Sequence, residues 1–588
     1  MLNVIHVTHE AVYKVGGIGT VLEGLINSRP YRDQVGRTVL VSPLFYPERT
    51  DRLGPGGTVE YSSLDQLYNG PYVEAFRAIE REFNVHLVYG RSPVEDGPSA
   101  RRTLCEVLQV DLRGINREKM NWLKGVLWEH YGLHSDRYEH IWEFEQYVEV
   151  AAPAVAALEV MRLATDDQPA VVFAHEFMGL PTALALSALR RTRYRAVFHA
   201  HEVATMRRLV ENHPGHDVMF YNVLDVARAG GFSLDEVFGP QDDYFKHALV
   251  NTAPSCDAVL AVGNHVVREL EFHSRDFEDA TIHLAYNGVP VGRATLEQRH
   301  TSHAHLQDYC QTMLGWRPDH IFTHVTRLAV SKAMWRDLDV LEALEPTLAE
   351  RGETAVLLVL STELPARPPQ DILRMEQEWD WPLAHREGPP DLTVGEARYY
   401  SRVQRFNARA RQTRLIYINQ FGFNRDLCGH RVPAEIEFQD LRRGTDVEFG
   451  LSLYEPFGIS PLEPLTFGGI CVVSTSCGCA GFLAQVAGRK PVPNVVLADY
   501  VHAVRRPGSL KEATAIGAAE RREAELKVAA QVAAAILERL PKTAAQEREM
   551  LRSGYALAQR MSWDVVAETL VFPALRKACA RRYLHIVA

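Results

Sequence analysis

GLSLYEPFGISPLE, residues 450–463, passes from an apolar run through a Pro-Phe-Gly turn to Ser460-Pro461. GLSLY reads as a strand. Serine followed by proline marks a helix start, because proline's fixed φ suits the first helical position. The stretch is therefore predicted to run strand, turn, helix, with Glu455 in the loop and Glu463 in the first helical turn. A strand handed straight to a helix is the repeating unit of an α/β sheet.

The rest of the chain repeats that unit. LNVIHVT (2–8), TVLVSPL (38–44), VHLVYG (85–90), AVVFAHE (170–176), RAVFHAHE (195–202) and AVLAVG (258–263) form one series of short apolar runs. IFTHVTR (321–327), AVLLVLS (355–361), RLIYINQ (414–420) and ICVVSTS (470–476) form a second. Helix-sized segments separate them, which predicts parallel, doubly wound α/β sheets buried on both faces. Binding sites in such sheets sit beyond the carboxyl ends of the strands. The polar, His-rich segment 291–320 lies between the two series and is the expected domain junction. Segment 362–413, ending in the arginine-dense 398–414, reads as an insertion in the second series. A basic helical face, forming a homo-oligomer contact, is its plainest reading. An Ala/Glu/Arg-rich helix is expected over 511–540, stopped by Pro541, and Ser562 is placed to cap a final helix.

Composition narrows the partners. With 588 residues, 46% hydrophobic and 23% charged, the chain is ordinary for a folded enzyme, and its length suits two large domains as well as four small ones. Lys plus Arg number 64 against 74 acids, a net charge of −10, which argues against nucleic acid or an anionic membrane as a partner. The eight cysteines lack paired CxxC spacing and are expected to be reduced and structural. MLNVIHVTHE carries no basic leader, and no apolar run approaches about 18 residues, so a cytoplasmic location is expected.

Four constellations could carry chemistry. The loop KVGGIG after the first strand sets Lys14, Gly16, Gly17 and Gly19 where backbone N–H groups could face an anion. It fails the dinucleotide fingerprint, since Leu22 stands where the third glycine belongs, and it is not a P-loop. Its plainer reading is a tight strand-to-helix turn. Arg327 ends a strand run and Lys332 follows five residues later, so two cations could clamp a diphosphate, although surface cations are common. Glu463 with Ser460 fits a capping box, whereas Glu455, wedged before Pro456, is better explained by a ligand hydroxyl or cation. The Ser460 hydroxyl and the N–H groups beside it could hold phosphate. His175 with Glu176, and His201 with Arg207 six residues on, mark two more strand ends. HExxH spacing is absent at both, so no metal is expected.

In number, order and spacing these motifs resemble the glycogen and starch synthase group of retaining glycosyltransferases. The features nearest the animal and fungal type glycogen synthases are KVGGI before TVL, VMFYNVLD (218–225), YNG (286–288) and YEPFGISPLE (454–463). The resemblance implies a GT-B fold, two Rossmann-like domains facing a central cleft. It places an acceptor-side domain at 1–300, a nucleotide-sugar domain at 301–555 and a returning helical segment at 556–588. It also implies that Arg327 and Lys332 bind the diphosphate with Ser460 assisting, and that Glu455 serves the donor glucose. Glu463 would hold the ribose, and Tyr454 would lie near the base. Lys14, Gly16, Gly17, Gly458 and Asn287 would complete the donor site. His201 and Arg207 would stand beside sugar and phosphates, with His175 and Glu176 on the acceptor or cleft side. The implied reaction extends an α-1,4-glucan from UDP-glucose or ADP-glucose with retention, without cofactor or metal. In such a reaction the leaving diphosphate takes the acceptor proton.

The sequence departs from the animal and fungal pattern at Phe457, where those proteins have Trp, and at Ile459, where they have Tyr. Its C-terminal RKACARR (576–582) is sparse where they carry a regulatory arginine cluster, so strong glucose 6-phosphate activation is not expected. Two alternatives stand beside the synthase: a GT-B transferase with a small-molecule acceptor, and a non-catalytic nucleotide-sugar-binding protein. The broken glycine fingerprint leaves an NAD-dependent oxidoreductase as a remote third.

Overall fold

The computed structural model describes residues 1–14, 16–96, 101–165, 167–190, 193–212, 219–488 and 492–580. Val15 of the glycine loop, Val218 of the VMFYNVLD stretch, and Arg581 and Arg582 of the C-terminal run lie outside the described residues. Contacts divide the chain into two units, each assembled from separate segments. Met1–Met206, Gly231–Gly288 and the segment from Trp563 form the first, and Arg207–Gly230 with Val289–Ser562 the second.

The first unit is built on ten strands: β1 (Leu2–Val7), β2 (Val35–Pro43), β3 (Thr58–Ser62), β4 (Leu67–Tyr68), β5 (His86–Asp96), β6 (Arg101–Asp111), β7 (Ala170–His175), β8 (Tyr194–Ala200), β9 (Ala258–Ala261) and β10 (Ile282–Leu284). Their spatial order is β10-β9-β8-β7-β1-β2-β6-β5-β3-β4. From β10 to β6 the pairs are parallel, as the buried apolar runs predict. The far edge corrects the all-parallel expectation: β5, read as one of the parallel series, pairs antiparallel with both β6 and β3. Chain order reverses across β1, whose neighbours are β2 and β7, so a crevice is expected beyond the carboxyl ends of β1 and β7.

The segment from Trp563 is held to this unit by shape. The Trp563 ring lies where Gly24 and Gly288 leave room. A Cβ on Gly24 would come within 2.0 Å of the indole nitrogen, and one on Gly288 within 2.5 Å of the ring. Beyond it, helix Phe572–Ala580 packs on β8 and β9.

The second unit carries β11 (His320–Val325), β12 (Ala355–Leu360), β13 (Thr413–Ile418), β14 (Val447–Gly450), β15 (Ile470–Ser474) and β16 (Val495–Ala498). They are parallel throughout, in the order β13-β12-β11-β14-β15-β16. This is the doubly wound Rossmann order 3-2-1-4-5-6, whose switch point lies between the first and fourth strands, here β11 and β14. Leu357, Val359, Phe322, Phe449 and Val472 are fully buried on one face, with Ile321, Val356, Leu358 and Ile418 on the other. Segment 291–320, expected as a junction, is largely helix Leu296–Leu314. It is capped by Thr295 and Gln298, packs on helix Phe438–Gly444, and sends Arg299 to Asp446 at 3.2 Å. The arginine-dense insertion contains helix Val394–Asn407, on which Arg398, Arg402 and Arg405 are exposed. The eight cysteines are free, and all but Cys579 are buried. No helix among the described residues is long and apolar enough to cross a membrane.

Candidate functional site

In the second unit, β11 and β14 deliver two loops beyond the switch point. After β11, Arg327 is exposed and makes no hydrogen bond or ion pair among the described residues. A 3-10 turn, Val330–Lys332, follows and ends with Ala333 in the left-handed region at φ 48°. Backbone strain of this kind persists only where surrounding structure enforces it. Here the Ser331 carbonyl accepts from Leu453 N–H at 2.7 Å and Tyr454 N–H at 3.2 Å, stitching the two loops together. Lys332, 9% exposed, directs its ammonium onto Glu455 Oε2, 123 residues away in sequence.

The loop after β14 differs from its prediction in two respects. The strand is VEFG, Val447–Gly450, rather than GLSLY, and Glu448 occupies a core position in it. That carboxylate is fully satisfied inside: Oε1 accepts from Val325 N–H at 3.0 Å, and Oε2 takes Arg442 at 2.9 Å and the Thr323 hydroxyl. The capping box also fails. The Ser460 hydroxyl donates to Val325 O at 2.7 Å, and Glu463 Oε2 lies 2.8 Å from Arg442 Nε. A buried guanidinium offers a carboxylate more than a backbone N–H does, so the tertiary partner displaces the local one. Residues Ser460–Phe467 form a 3-10 helix with no side-chain cap.

What fixes Glu455 is the backbone around it. It forms an isolated parallel bridge with Cys477, its carbonyl accepts Gly478 N–H at 2.9 Å, and Phe457 O accepts Cys479 N–H at 2.8 Å. Gly458 turns the loop at φ 87°, close under the Glu455 side chain. Tyr454 is fully buried beneath the loop. The division into units runs through helix Ala204–Asn212 and leaves Arg207 with the second unit. Its guanidinium donates to Ser331 Oγ at 3.2 Å and lies 5.2 Å from the Tyr454 ring centroid. Arg207, Lys332, Tyr454 and Glu455 are thus joined through Ser331 and Tyr454.

In the first unit the glycine loop is occupied from within. Gly16 and Gly19 donate their N–H groups to Glu10 Oε2 at 2.7 and 3.0 Å, so an internal carboxylate takes the anion position predicted for a ligand. Lys14 pairs with Glu23 at 2.7 Å, and Gly17 faces open space. Asn287 is buried, and its Oδ1 has no hydrogen-bond partner among the described residues. Glu176 opens helix Glu176–Arg190 at φ 59°, another left-handed residue at a strand end, and accepts Glu202 N–H at 2.6 Å.

Around the ends of β1, β7 and β8 four histidines meet. His175 Nε2 lies 2.8 Å from His6 Nδ1, His175 Nδ1 lies 2.9 Å from His201 Nε2, and the His199 and His201 rings are 4.1 Å apart. Burial holds His6 and His199 down at about 3. Burial, with repulsion from neighbouring imidazoles, holds His175 and His201 well below the ordinary range. All four are neutral at pH 7. Nearby, a cavity of about 170 Å³ is lined by His9, Tyr13, Ser42, Phe45, Tyr46 and Gln109, among others.

Sequence reasoning singled out His175, His201 and Glu455 and passed over Glu10, His6, His199 and Arg442, which the structure sets beside them or beside the other candidate residues. A signal for the histidines was present: three runs predicted as strands carry histidine near their carboxyl ends. For Arg442 there was none, since it stands in an ordinary charged helix.

Among solved structures, the catalytic domain of starch synthase IV from Arabidopsis thaliana, bound to ADP and acarbose, superposes with a TM-score of 0.51. It is 12% identical, over 99% of this chain and 100% of that one. The chain has the GT-B fold. A UDP-forming α,α-trehalose-phosphate synthase from Burkholderia xenovorans (14% identity, 99% and 100% covered) gives 0.47. An E. coli structure described as trehalose-6-phosphate bound with UDP-2-fluoro glucose (12%, 99% and 99%) also gives 0.47. No family model and no curated protein matches the sequence.

Proposed function

We propose that this chain is a retaining glucosyltransferase that extends an α-1,4-glucan from UDP-glucose or ADP-glucose. The observation that carries the reading is the Lys332–Glu455 ion pair, placed beyond β11 and β14 at the switch point of a 3-2-1-4-5-6 sheet. Structural likeness to a starch synthase domain supports the fold on which the reading rests.

In this reading Arg327 and Lys332 neutralise the diphosphate as it leaves, so the transfer needs no metal ion. Arg327 is exposed with no competing partner among the described residues, and Lys332 is held by Glu455 until phosphate takes its place. Glu455 receives the donor's sugar hydroxyls, and the leaving diphosphate accepts the acceptor's proton. Glu463, oriented by Arg442, accepts the ribose hydroxyls, and Tyr454 and Gly458 shape the floor. Because the Ser460 hydroxyl is committed to Val325 O, its backbone and not its side chain serves the phosphate. Neutral His201 donates to the sugar, Arg207 attends the phosphates, and His175 with Glu176 stands on the acceptor or cleft side.

A second reading, transfer to a small sugar or sugar phosphate, draws on the 170 Å³ cavity of the first unit. It is smaller than the roughly 300–1,000 Å³ of pockets for drug-sized ligands. The test is incubation with glycogen and each donor separately, reading nucleotide released and glucose incorporated, with Glu455→Ala as control. Incorporation from one donor, reduced by about 10²-fold or more in the variant, is expected. Nucleotide release that requires a small sugar and leaves glycogen unextended selects the second reading. Full activity in Glu455→Ala refutes both.

A further inference from the structure

The first sheet gathers imidazoles that the proposed transfer uses only in part. His175 ends β7, His199 is its in-register partner on β8, and His201 follows two residues later. One ring nitrogen from each lies within 4.8 Å of the others. His199 is 2% exposed, yet neither of its ring nitrogens has a hydrogen-bond partner among the described residues. A buried polar group left in that state asks for a further ligand.

We infer that His175, His199 and His201 form a binding site for one divalent transition-metal ion of the zinc class. Three imidazoles are a known donor set for zinc, leaving a fourth tetrahedral position open. Nitrogen ligands select borderline ions such as zinc, cobalt, nickel and copper over magnesium and calcium, which demand oxygen cages. Tetrahedral bonds of about 2.0–2.1 Å put ligand nitrogens roughly 3.3–3.4 Å apart. The 2.9 Å between His175 and His201 and the 4.8 Å outer limit bracket that spacing, so ring rotations suffice.

The surroundings fit as well. The remaining nitrogen of His175 is held by His6 at 2.8 Å, and His6 in turn meets the Tyr31 hydroxyl at 3.0 Å. Tyr31 reaches Thr38 Oγ1 at 3.0 Å. Such a chain behind a ligating imidazole fixes its tautomer and ring plane. His201, half-buried, gives the ion its way in. No HExxH pattern announces the site because its ligands come from two neighbouring strands. An ion here withholds His201 from the sugar, a consequence that rests on the proposed function, whereas the site itself does not.

The test uses the full chain, freed of metal by a chelator and dialysed. It is titrated with zinc chloride by calorimetry and with cobalt chloride by visible absorption. One ion per chain is expected, with the intense cobalt bands of tetrahedral nitrogen coordination. His199→Phe, similar in volume but without ring nitrogens, should lose both signals at an unchanged circular dichroism spectrum. Should that variant not fold, His201→Gln at the half-buried position should lose them instead. Absence of a stoichiometric ion in the unmodified chain, or its retention in the folded variant, overturns the site. These readouts are independent of sugar transfer.

Discussion

Replacing Gly478 by alanine probes how the Glu455 loop is held. A Cβ at this position would lie 1.8 Å from Pro456 O, 2.8 Å from Pro456 C and 3.1 Å from Phe457 Cα. All three are backbone atoms, so no side chain can rotate away. Bringing the carbonyl oxygen out to 3.0 Å requires a retreat of about 1.2 Å, the difference 3.0 − 1.8. The atoms that must retreat belong to the residues directly after Glu455, whose own carbonyl is tied to Gly478 N–H. Overpacking of this kind costs about 1–3 kcal/mol of stability. A displacement of about 1 Å in a positioning group costs on the order of 10²-fold in rate. Gly478→Ala is therefore expected to lower the urea midpoint and to cut glucose transfer about 100-fold. Gly125→Ala, in helix Arg117–Tyr131 with nothing within 4 Å of its Cβ, should do neither. Wild-type transfer and an unchanged midpoint in Gly478→Ala would refute the idea that this close approach sets the position of Glu455.

Two further outcomes follow from buried charge. Arg442→Met removes the partner of Glu448, whose side chain is fully buried, and of Glu463. Breaking a buried pair on one side costs roughly 3–5 kcal/mol, read as a lowered urea midpoint, and a loss below about 1 kcal/mol would contradict the network. Asp391 is buried. Burial raises its pKa, but hydrogen bonds from His385, Arg386 N–H and Asn419 outweigh that and hold it below the usual carboxylate value. Its contribution is then fully present above the unfolded pKa of about 3.9 and is lost as pH falls through the lower folded value. Asp391→Asn should be less stable than the unmodified chain at neutral pH. The gap should close as the pH falls below about 4, and a gap that widens in acid would reverse the assignment.

The ten apolar runs in the sequence each became a strand because their residues are buried on both faces and need no partner outside the sheet. What was illegible has specific causes. β14 hides a buried glutamate, acceptable only because Arg442, Thr323 and Val325 satisfy it, and two of these partners, Thr323 and Val325, lie far away in sequence. β6 mixes charged and apolar residues, which a search for continuous apolar runs passes over, and without it the antiparallel direction of β5 could not be read. At the site, Glu455 was legible because nothing local explained it, and Lys332 because it followed a strand. Their pairing was not, since it depends on how β11 and β14 lie side by side. Ser460 and Glu463 were misread for the opposite reason: a good local pattern was outcompeted by Arg442. Glu10 escaped because a carboxylate close to a glycine loop reads as a surface residue until its acceptor role for Gly16 and Gly19 is seen.

The room left by Gly24 and Gly288 for Trp563 bears on how the protein is made. A ribosome releases residues 1–288 long before it reaches position 563, and domains that close early fold as they emerge. This first unit cannot close early, because the indole that fills the space above two of its glycines arrives only after nearly the whole second unit has been translated. Its sheet must wait, with β8 and β9 lacking the covering helix Phe572–Ala580. A shortened gene ending near residue 288 would yield a sheet permanently in that waiting state, a natural client for chaperones. Neither half can be made separately and mixed without losing part of its own interior.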